Sequence, residues 1–498
     1  MAAKKFLAFD LGAESGRAIA GILENGKLTL DVLHRFPTGG IEVCGSLMWD
    51  QLGIFRELCK GLNLYVTKYG AQLDGIATDS WGVDFGLLDR NGQMLANATH
   101  YRDRRTEGVP EKFFAVIPQK EFMGLTGIQL MSFNTVYQLF AMRRKQQHLL
   151  DNAETLLLIA DLQNYFFSGA KVAEYTAAST TQMLDCRARD WAKPVLEKAG
   201  IPTRLLPDVV PPCSVVGELR PELAAMYGVN PGTPVIAAAG HDTAAAIAAV
   251  PAAGGDDWLY LSSGTWSLLG AELPEPLVNE KTVAYNFTNE GGVDNTIRFL
   301  KNIMGMWLIQ ECKRQWEREG ENLDYAAITE MAKNAAPFTA VIDPNSSDFF
   351  TPGDMPKRIQ EFCRKTGQKV PQGKGEIVRT ALESLALIYR FTAEQIGELT
   401  GKTYRTLHII GGGTQNKLLN QFTADASGMT VVTGPVEATA MGNCLMQAVA
   451  RGVIGSLAEA RAIVRNSCET ETFTPAANRD AWEKAYAKFK EVRGAAIN

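Results

Sequence analysis

The sequence lacks several features that mark simple classes of protein. Its eight cysteines form no C-x-x-C pair, and none has a histidine at zinc-finger spacing. This pattern favours buried or incidental thiols in a reducing compartment over a metal site. Long basic blocks are also missing, and 50 Lys and Arg against 55 Asp and Glu give a net charge of −5. Because nucleic-acid affinity depends on basic residues that neutralise phosphates, we expect no nucleic-acid partner.

Long hydrophobic runs are missing as well. The apolar stretch Phe6–Phe9 stops at Asp10 and is too short for a signal peptide. The most apolar window, residues 235–250, carries His241 and Asp242 in its middle and does not reach membrane-spanning character. We therefore expect a cytoplasmic protein with no membrane partner. The hydrophobic fraction of 46% is ample for a core, and 498 residues suit two or three domains.

Three common catalytic motifs are also missing. No G-x-S-x-G elbow occurs, which argues against a Ser–His–Asp hydrolase. The nearest match to a phosphate-loop motif, residues 367–374, has five intervening residues where the motif has four, and Gly375 replaces the Ser or Thr. Residues 411–416, GGGTQN, end in Asn where a dinucleotide-binding fingerprint needs Gly.

What the sequence does contain is a repeated strand–turn–strand pattern. Residues 6–10, FLAFD, lead into the turn GAESG at 12–16 and a second apolar run, and Asn25-Gly26 predicts a further hairpin turn. After a break in composition at 251–257, residues 258–273 repeat the pattern around SSGT. Helical periodicity at 49–65, 136–150, 153–167, 302–317 and 375–398 alternates with predicted strands. We predict an α/β fold with two related domains, 1–250 and 251–498.

Both small-residue turns are candidate phosphate sites. In the first, Asp10 ends a strand, Gly16 allows close backbone approach and Arg17 offers a forked donor. In the second, Thr265 adds a hydroxyl. The alternative for each turn is an ordinary hairpin turn, and for the first turn taken alone this alternative is favoured. Two such turns that head two halves of one chain can together clamp one polyphosphate.

Three further segments are candidate ligand sites. Asp242, in the segment GHDT before an alanine-rich helix, is a candidate general base, and the alternative is a helix N-cap. Residues 78–85, TDSWGVDF, predict a strand pair that with 101–105, YRDRR, suits a polyol, or else is a solvated hairpin. Gly82 there indicates close approach of a ligand or a strand. The strand–GGG–helix unit around Gly412 suits a flat nucleobase, or glycine-rich packing.

The order of these motifs resembles the FGGY family of carbohydrate kinases, which have an actin-like, ribonuclease H-like ATPase fold. The resemblance covers essentially the whole chain and includes the segment from Gly411 to Asn443, which is similar to the C-terminal signature of the family. Long specific strings carry it, among them DLGAESGR, TDSWGVDF, HYRDRR, FNTVYQL, GHDTA, LSSGTWSL, TNEGG, LKNIMGMWLIQ and DPNSSDFFTPGDM. They are most similar to members that act on L-rhamnulose, and similar in fewer segments to those that act on L-fuculose.

The resemblance implies a role for each matching residue. Asp242 is the implied base that takes the proton from the sugar hydroxyl. The implied sugar contacts are Gly82, His241, Thr243 and Asn302. The implied ATP contacts are Ala13, Glu14, Ser15, Gly16, Arg17, Thr265, Gln310 and Gly412. Asp10 is expected to orient Mg²⁺ through water, whereas Glu14 is an unexpected carboxylate for a phosphate turn, and Gln138 stands where many family members carry Lys.

The implied reaction converts ATP and L-rhamnulose into ADP and L-rhamnulose 1-phosphate in L-rhamnose catabolism, with Mg²⁺ as cofactor. Two domains with a nucleotide and sugar cleft between them are the implied architecture. L-fuculose, or both ketoses, remain alternative substrates. A non-catalytic, nucleotide-switched protein on the same actin-like fold is the alternative from another class.

Overall fold

A computed structural model describes residues 3–476 and 479–497 of the chain. They form an α/β structure that divides into two compact units. Unit 1 contains the residues up to Ala253 together with Glu272–Phe299 and Glu437–Cys468. Unit 2 contains Gly254–Ala271, Leu300–Val436 and the residues from Glu469 onward.

The strands are numbered in chain order: β1 Lys4–Leu11, β2 Ser15–Glu24, β3 Lys27–Pro37, β4 Ile41–Val43, β5 Ser46–Met48, β6 Gly75–Ser80, β7 Phe85–Leu88, β8 Thr155–Leu158, β9 Ala173–Glu174, β10 Leu184–Asp185, β11 Asp190–Trp191, β12 Val209–Val210, β13 Ser214–Glu218, β14 Pro234–Ala237, β15 Trp258–Ser263, β16 Trp266–Leu273, β17 Thr288–Gly291, β18 Ile297–Met304, β19 Thr406–Ile410, β20 Thr430–Thr433 and β21 Thr472–Phe473.

The α-helices are numbered in the same way: α1 Gln51–Tyr69, α2 Val109–Phe114, α3 Gln119–Thr126, α4 Thr135–Lys145, α5 Gln147–Asn152, α6 Ile159–Ser168, α7 Tyr175–Ser179, α8 Lys193–Lys198, α9 Pro221–Tyr227, α10 Asp242–Ala248, α11 Glu280–Ala284, α12 Trp307–Arg318, α13 Tyr325–Asn334, α14 Met355–Lys365, α15 Lys374–Thr400, α16 Lys417–Ser427, α17 Ala438–Ala450, α18 Leu457–Ser467 and α19 Arg479–Ile497. Among these described helices, none combines the length and the apolar character that crossing a membrane requires.

Unit 1 is built around a six-stranded sheet in the order β13-β14-β6-β1-β2-β3. The predicted opening meander is confirmed, since β1, β2 and β3 pair in antiparallel fashion with a turn at Asn25-Gly26. β6 then adds to β1, and β14 to β6, in parallel. Helix α1 begins after its N-cap Asp50 and buries Ile54, Leu58 and Leu62, whose spacing places them on one face. Because β1, β6 and β14 run in parallel, their carboxyl ends lie at one edge of the sheet.

Unit 2 repeats this construction, as the second strand–turn–strand pattern predicts. β15 and β16 form an antiparallel hairpin, and β19 and then β20 add in parallel beside β15. The strand predicted at 406–410 is confirmed as β19. The long helix α15, predicted at 375–398, runs from Lys374 to Thr400 and ends at Gly401 in a left-handed conformation.

Two segments from the second half of the sequence, Glu272–Phe299 and Glu437–Cys468, belong to unit 1. Helix α17 in the second of these packs against β1, β6 and α10. The sequence of α17 predicts a helix, but it does not show against which of the two units that helix packs. The division into domains 1–250 and 251–498 therefore stays a prediction, and the compact units are composed differently.

Several predictions of local structure are wrong. Residues 78–85 do not form a strand pair, because β6 belongs to the six-stranded sheet while β7 pairs with β8. The helix predicted at 153–167 begins only at Ile159, since Thr155–Leu158 is a buried strand. The helix predicted at 302–317 begins at Trp307, and Asn302 lies on β18. Short apolar runs that are buried on all sides have no periodicity that separates strand from helix.

Candidate active site

Acidic residues of unit 1 gather at the carboxyl ends of its parallel strands. Asp10 lies near the end of β1, and Asp79 is its direct partner in the parallel register of β6. The GHDT segment follows β14, and His241 forms an isolated parallel bridge with Ser80 at the end of β6. Ligands of open α/β sheets bind at this edge, where the strand order brings loops from separate strands together.

Asp10 and Arg17 face each other across the β1–β2 hairpin, where they are register partners. The Arg17 guanidinium donates hydrogen bonds to Asp10 and to Glu437, and Arg35 Nη2 adds a second contact to Glu437 at 3.0 Å. Burial raises the pKa of Asp10 to about 6 against the opposing charge of Arg17, and Asp242 and Glu437 add to the rise. The Arg17 guanidinium, predicted to bind phosphate, thus donates to the carboxylates of Asp10 and Glu437.

Asp79 is a wholly buried carboxyl group beside Asp10. Asn443 on α17 donates a 2.6 Å hydrogen bond to its Oδ2, and Gln447 donates to the Asn443 Oδ1 at 2.8 Å. Among the described residues the Asp79 Oδ1 has no hydrogen-bond partner. Burial and then the charge of Asp10 raise the pKa of Asp79 well above its usual range, and Asn443 opposes them. Asp79 Oδ1 is therefore a buried carboxyl oxygen that is left to pair with a ligand or an ion.

The first turn is closed by backbone bonds. Gly12 N–H donates to the Ser15 carbonyl at 3.0 Å, and Thr38 Oγ1 donates to the Gly12 carbonyl at 2.6 Å. Ala13 is half-buried, whereas Glu14 and Ser15 are exposed. Gly16 is buried, and a Cβ there would overlap the ring of Phe36. Packing against Phe36 is therefore sufficient to require glycine at this position.

Asp242 is the first residue of helix α10, and the cap position before it is occupied by His241. The alternative that Asp242 is an N-cap is therefore wrong. The Asp242 side chain is 31% exposed and accepts a 3.0 Å hydrogen bond from the Thr243 hydroxyl at Oδ1. A carboxylate that is accessible and has lone pairs to spare has the chemistry of a general base towards a hydroxyl.

His241 is backed by buried charges. Its Nδ1 lies 3.0 Å from Arg298 Nη2 and 3.4 Å from Glu290 Oε2, and its Nε2 lies 3.5 Å from Asp242 Oδ1. Arg298 is completely buried and also lies 3.1 Å from Glu290. Burial alone would raise the pKa of Glu290, but the charge of Arg298 opposes it, and the pKa lies below its usual range.

Glu174 anchors the backbone of the GHDT segment. Its Oε2 accepts hydrogen bonds from Gly240 N–H at 2.8 Å, from the Thr176 hydroxyl at 2.6 Å and from Ala177 N–H at 3.0 Å. The Thr176 Oγ1 in turn accepts from His241 N–H at 3.1 Å. A Cβ on Gly240 would lie 2.8 Å from the Glu174 carboxylate. Glu174 therefore fixes the position from which His241 and Asp242 project.

The predicted polyol segment is not the solvated hairpin of its alternative interpretation. Asp84 is buried and accepts hydrogen bonds from Trp49 Nε1 at 2.7 Å, Trp81 Nε1 at 3.1 Å and Gln138 Nε2 at 2.9 Å. Burial raises the pKa of Asp84 to about 6 despite these bonds. The solvated hairpin is therefore wrong for Asp84, and a role of the segment in binding a polyol stays a prediction. Gln138, which also accepts a hydrogen bond from Arg105, ties helix α4 to this buried carboxyl group.

Gly82 lies in the loop that follows β6. A Cβ at this position would lie 2.7 Å from the Thr180 hydroxyl. The same hydroxyl accepts a 3.1 Å hydrogen bond from the N–H of Val83, whose φ of 68° is unusual for a β-branched residue. The close approach indicated by Gly82 is therefore satisfied by Thr180, and the loop is held in a constrained conformation.

In unit 2 the second turn is joined to the start of helix α12. Gly305 N–H and Trp307 N–H both donate to the Thr265 carbonyl at 3.2 Å, and Met306 N–H donates to the Gly264 carbonyl at 3.0 Å. Gln310 lies one turn further along α12, and its buried Oε1 has no hydrogen-bond partner among the described residues. Thr265 and Gln310 are thus brought into one local structure.

The glycine-rich turn lies beside the same hairpin. Gly411 has a φ of 85°, and Gly413 leaves no room for a Cβ because Ser263 packs against it. Gly412, by contrast, is exposed and meets nothing within 4 Å of an added Cβ. A short 3₁₀ turn over Gly412–Gln415 precedes helix α16. Gly411 and Gly413 serve packing and Gly412 presents bare backbone, so binding of a nucleobase stays a prediction that concerns Gly412 alone.

Sequence reasoning missed several residues of the unit 1 site. They are Asp79, Glu174, Glu290, Arg298 and Glu437. A signal was present for Arg298, since a single arginine in the apolar run 297–300 is costly to bury without a partner. Glu437 carries no such signal, because its partner Arg17 is 420 positions away in the sequence.

The eight cysteines are all free, and Cys59, Cys186, Cys312, Cys363 and Cys444 are buried. Within residues 3–476 and 479–497 no group of three or more His, Cys, Asp or Glu side chains is arranged to hold a metal ion directly. A cation at the Asp10 and Asp79 oxygens would consequently need water among its ligands.

The chain matches two family models in succession. Residues 5–248 match the N-terminal domain of the FGGY family of carbohydrate kinases, and residues 259–451 match its C-terminal domain. The chain is 43% identical to the rhamnulokinase of Bacteroides thetaiotaomicron over 98% of this chain and 99% of that protein. It is 39% identical to the rhamnulokinase of Bacillus subtilis over 94% of this chain and 95% of that protein.

Solved structures show the same fold at low sequence identity. The gluconate kinase of Lactobacillus acidophilus superimposes with a TM-score of 0.83 at 15% identity, covering 99% of this chain and 98% of that one. The glycerol kinase of Plasmodium falciparum with ADP gives 0.78 at 15% identity, covering 100% and 99%. The predicted actin-like, two-domain α/β fold is confirmed. On its sequence and its fold, this chain belongs to the FGGY family of carbohydrate kinases.

Proposed function

We propose that the chain transfers the γ-phosphoryl group of ATP to O1 of L-rhamnulose, giving L-rhamnulose 1-phosphate and ADP in L-rhamnose catabolism. One observation carries the choice of substrate: proteins named rhamnulokinase are 38–43% identical to this chain over 94–98% of its length. The accessible carboxylate of Asp242, at the carboxyl ends of the sheet strands, supplies the base that the reaction needs.

Phosphoryl transfer depends mainly on alignment and charge neutralisation. Asp242 accepts the proton of the attacking sugar hydroxyl, and the Thr243 hydroxyl orients the Asp242 carboxylate. His241, Gly82 and Asn302 complete the proposed sugar contacts. The proposed ATP contacts are Ala13, Glu14, Ser15, Gly16 and Arg17 in unit 1 and Thr265, Gln310 and Gly412 in unit 2. Arg17 acts with its charge already balanced by Asp10 and Glu437.

The residues present fit Mg²⁺ held partly through water. Mg²⁺ prefers carboxylate oxygens and keeps several of its own waters. A nearby cation would pair with the unpartnered Oδ1 of Asp79 and would offset the burial and the charge of Asp242 that raise the pKa of Asp10. Asp10 is the proposed water-mediated ligand. When bound, the ion neutralises phosphate charge, while the residues of this chain position the sugar and accept its proton.

The test is a substrate panel. The purified chain is supplied with ATP, Mg²⁺ and one of L-rhamnulose, L-fuculose, D-xylulose or glycerol, and ADP release is followed by a coupled assay. We expect the highest kcat/KM with L-rhamnulose and no ADP release above background without sugar. A higher kcat/KM with L-fuculose would move the assignment to that ketose. ATP binding without turnover of any sugar would favour a nucleotide-switched protein that is not a catalyst.

A further inference from the structure

His241 faces a side chain that can only donate hydrogen bonds. Arg298 on β18 is completely buried, and its Nε donates to the Gly291 carbonyl at 2.8 Å. Its Nη2 lies 3.0 Å from His241 Nδ1, and its Nη1 lies 3.1 Å from Glu290 Oε2. The guanidinium is therefore held on three sides by this chain's own groups.

This arrangement decides which imidazole nitrogen carries the proton. A guanidinium stays protonated and has no acceptor, so a hydrogen bond from it requires the lone pair of Nδ1. The competing partner, Glu290 Oε2, lies 3.4 Å from Nδ1, beyond the usual range of about 2.7–3.2 Å for such bonds, and it is nearer to Arg298. Nδ1 therefore accepts, and the proton of the neutral ring is on Nε2.

We propose that Arg298 is a positioning residue that fixes His241 as the Nε2–H tautomer, so that His241 donates to an oxygen of the sugar and Asp242 alone accepts a proton. Nε2 lies 3.5 Å from Asp242 Oδ1, so both groups reach neighbouring oxygens of one small ligand. The part of this inference that concerns the sugar rests on the proposed function. The tautomer itself does not, because Arg298 and Glu290 set it without any ligand.

The tautomer determines how the ligand is oriented. If Nε2 were an acceptor, His241 and Asp242 would compete for the same hydroxyl proton. With a donor at His241 and an acceptor at Asp242, the site binds a hydroxyl group next to an oxygen that accepts a hydrogen bond. A ketose offers this pair, since its primary hydroxyl carbon is bonded to the carbonyl carbon. A ligand that placed an acceptor beside Asp242 and a donor beside His241 would leave these groups without hydrogen-bond partners, which costs binding free energy.

The first experiment needs no substrate. The full chain is labelled with ¹⁵N in its five histidine rings, and ring ¹H–¹⁵N correlations are recorded without sugar or ATP. The His241 signals are identified by their loss in His241→Gln. We expect an unprotonated Nδ1 and a protonated Nε2, whereas the exposed His148 should show averaged tautomers. A proton on Nδ1 of His241, with or without one on Nε2, would overturn the proposal.

The second experiment removes the donor. Replacing Arg298 alone would leave Glu290 buried without a partner, so the variant is Arg298→Met with Glu290→Met, which removes both charges. We expect mixed tautomers at His241 and a fall in kcat/KM for the sugar of about 2- to 10-fold, as for loss of one neutral hydrogen bond. The KM for ATP should be unchanged, and Arg298→Lys with native Glu290 should recover most of the loss.

Retention of the Nε2–H tautomer in the double Met variant would overturn the role of Arg298, as would full kcat/KM with mixed tautomers. If the double variant does not fold, the ring spectrum of the native chain and of Arg298→Lys still decides the tautomer. If the native chain phosphorylates no sugar, the proposed function fails while the spectrum still tests the tautomer.

Discussion

The two hairpins that head the sheets of unit 1 and unit 2 share a framework and differ in chemistry. In unit 1, Asp10 on β1 pairs with Arg17 on β2. In unit 2, Ser263 on β15 occupies the end of its strand and pairs with Ser267 on β16. Each hairpin is extended by two parallel strands on the side of its first strand. The same backbone thus carries a charged site in one unit and a neutral one in the other.

The difference separates two tasks. The proposed base of unit 1, Asp242, is a carboxylate, and burial raises the pKa of its neighbour Asp10 to about 6, with the charges of Asp242 and Glu437 adding to the rise. Hydroxyls and exposed backbone, as at Thr265 and Gly412, bind anionic or uncharged groups without such repulsion. We therefore expect substitutions in unit 1 to change chemistry and pH dependence, and those in unit 2 to change nucleotide affinity.

The largest effect is expected from Asp242→Asn. The amide keeps the shape and the contact with Thr243 but accepts no proton, so kcat should fall about 10²- to 10⁴-fold, the usual range for loss of a general base. Steady-state kinetics with the sugar, and ATP affinity by calorimetry, measure the two consequences. ATP affinity should stay within a factor of two or so of the native value. Retained kcat would remove Asp242 from the mechanism.

A smaller loss is expected from Glu174→Gln. The amide nitrogen replaces an oxygen that accepts from Gly240 N–H or Thr176 N–H, and this weakens the anchor of GHDT. We expect kcat/KM for the sugar to fall about 10- to 100-fold and the free energy of unfolding to fall about 1–3 kcal/mol. Glu154→Gln, at an exposed position, is the matched control and should change neither. Equal kinetics in both variants would show that GHDT needs no such anchor.

The third expectation concerns stability against pH. Because the pKa values of Asp10 and Asp79 are raised in the folded chain, the folded state holds more protons than the unfolded one, and stability falls as pH rises through about 6. Asp79→Asn removes one of these acids. In Mg²⁺-free buffer it should be more stable than the native chain by about 1–3 kcal/mol at pH 8, with the difference shrinking towards pH 4.

Denaturant unfolding at several pH values measures this difference. Ser263→Ala in the unit 2 hairpin is the control, since no charge is removed, and its effect on stability should not vary with pH. A pH-independent difference for Asp79→Asn would contradict the electrostatic account of the first hairpin.

The smallest effect is expected from Thr265→Val. The substitution keeps the branched shape and the backbone bonds to Gly305 and Trp307 but removes the hydroxyl. Loss of one neutral hydrogen bond of about 0.5–1.5 kcal/mol should raise the KM for ATP roughly 2- to 10-fold. The KM for the sugar should be unchanged, and initial-rate kinetics with each substrate varied separately measure both. A change confined to the KM for the sugar would contradict the assignment of nucleotide affinity to the unit 2 hairpin.

Local chemistry made much of the fold predictable. Asn25-Gly26 specifies a hairpin turn, and GAESG and SSGT mark the two others, so the strand–turn–strand units could be identified from residues alone. The packing of helix α17 could not be predicted in this way. Its helix pattern is clear in the sequence, but its packing against β1 depends on contacts that no window of sequence contains.

The candidate site divides in the same way. Asp242 could be selected as a candidate from the sequence, because an acid beside an alanine-rich helix is costly to bury unless it binds a partner. Gln138 is an unusual residue for its place in the family, yet the sequence does not predict its buried partner Asp84, which it assigns to a polyol site or a solvated hairpin, since burial on both sides of 78–85 leaves no alternating pattern. Glu290 lies in a segment that carried the family resemblance, but its contact with Arg298 and His241 follows only from the fold.

The hydrogen bonds from Arg17 to Asp10 and Glu437 have a consequence for synthesis of the chain. Glu437 belongs to the last of three separated segments that make up unit 1. At about 5–20 residues per second, a ribosome needs on the order of ten seconds or more after the first segment to reach it. Until then Arg17 and Asp10 lack their third partner, and Asp79 lacks Asn443. A nascent or truncated chain therefore carries the acidic residues of the site without the helix that completes their hydrogen bonds.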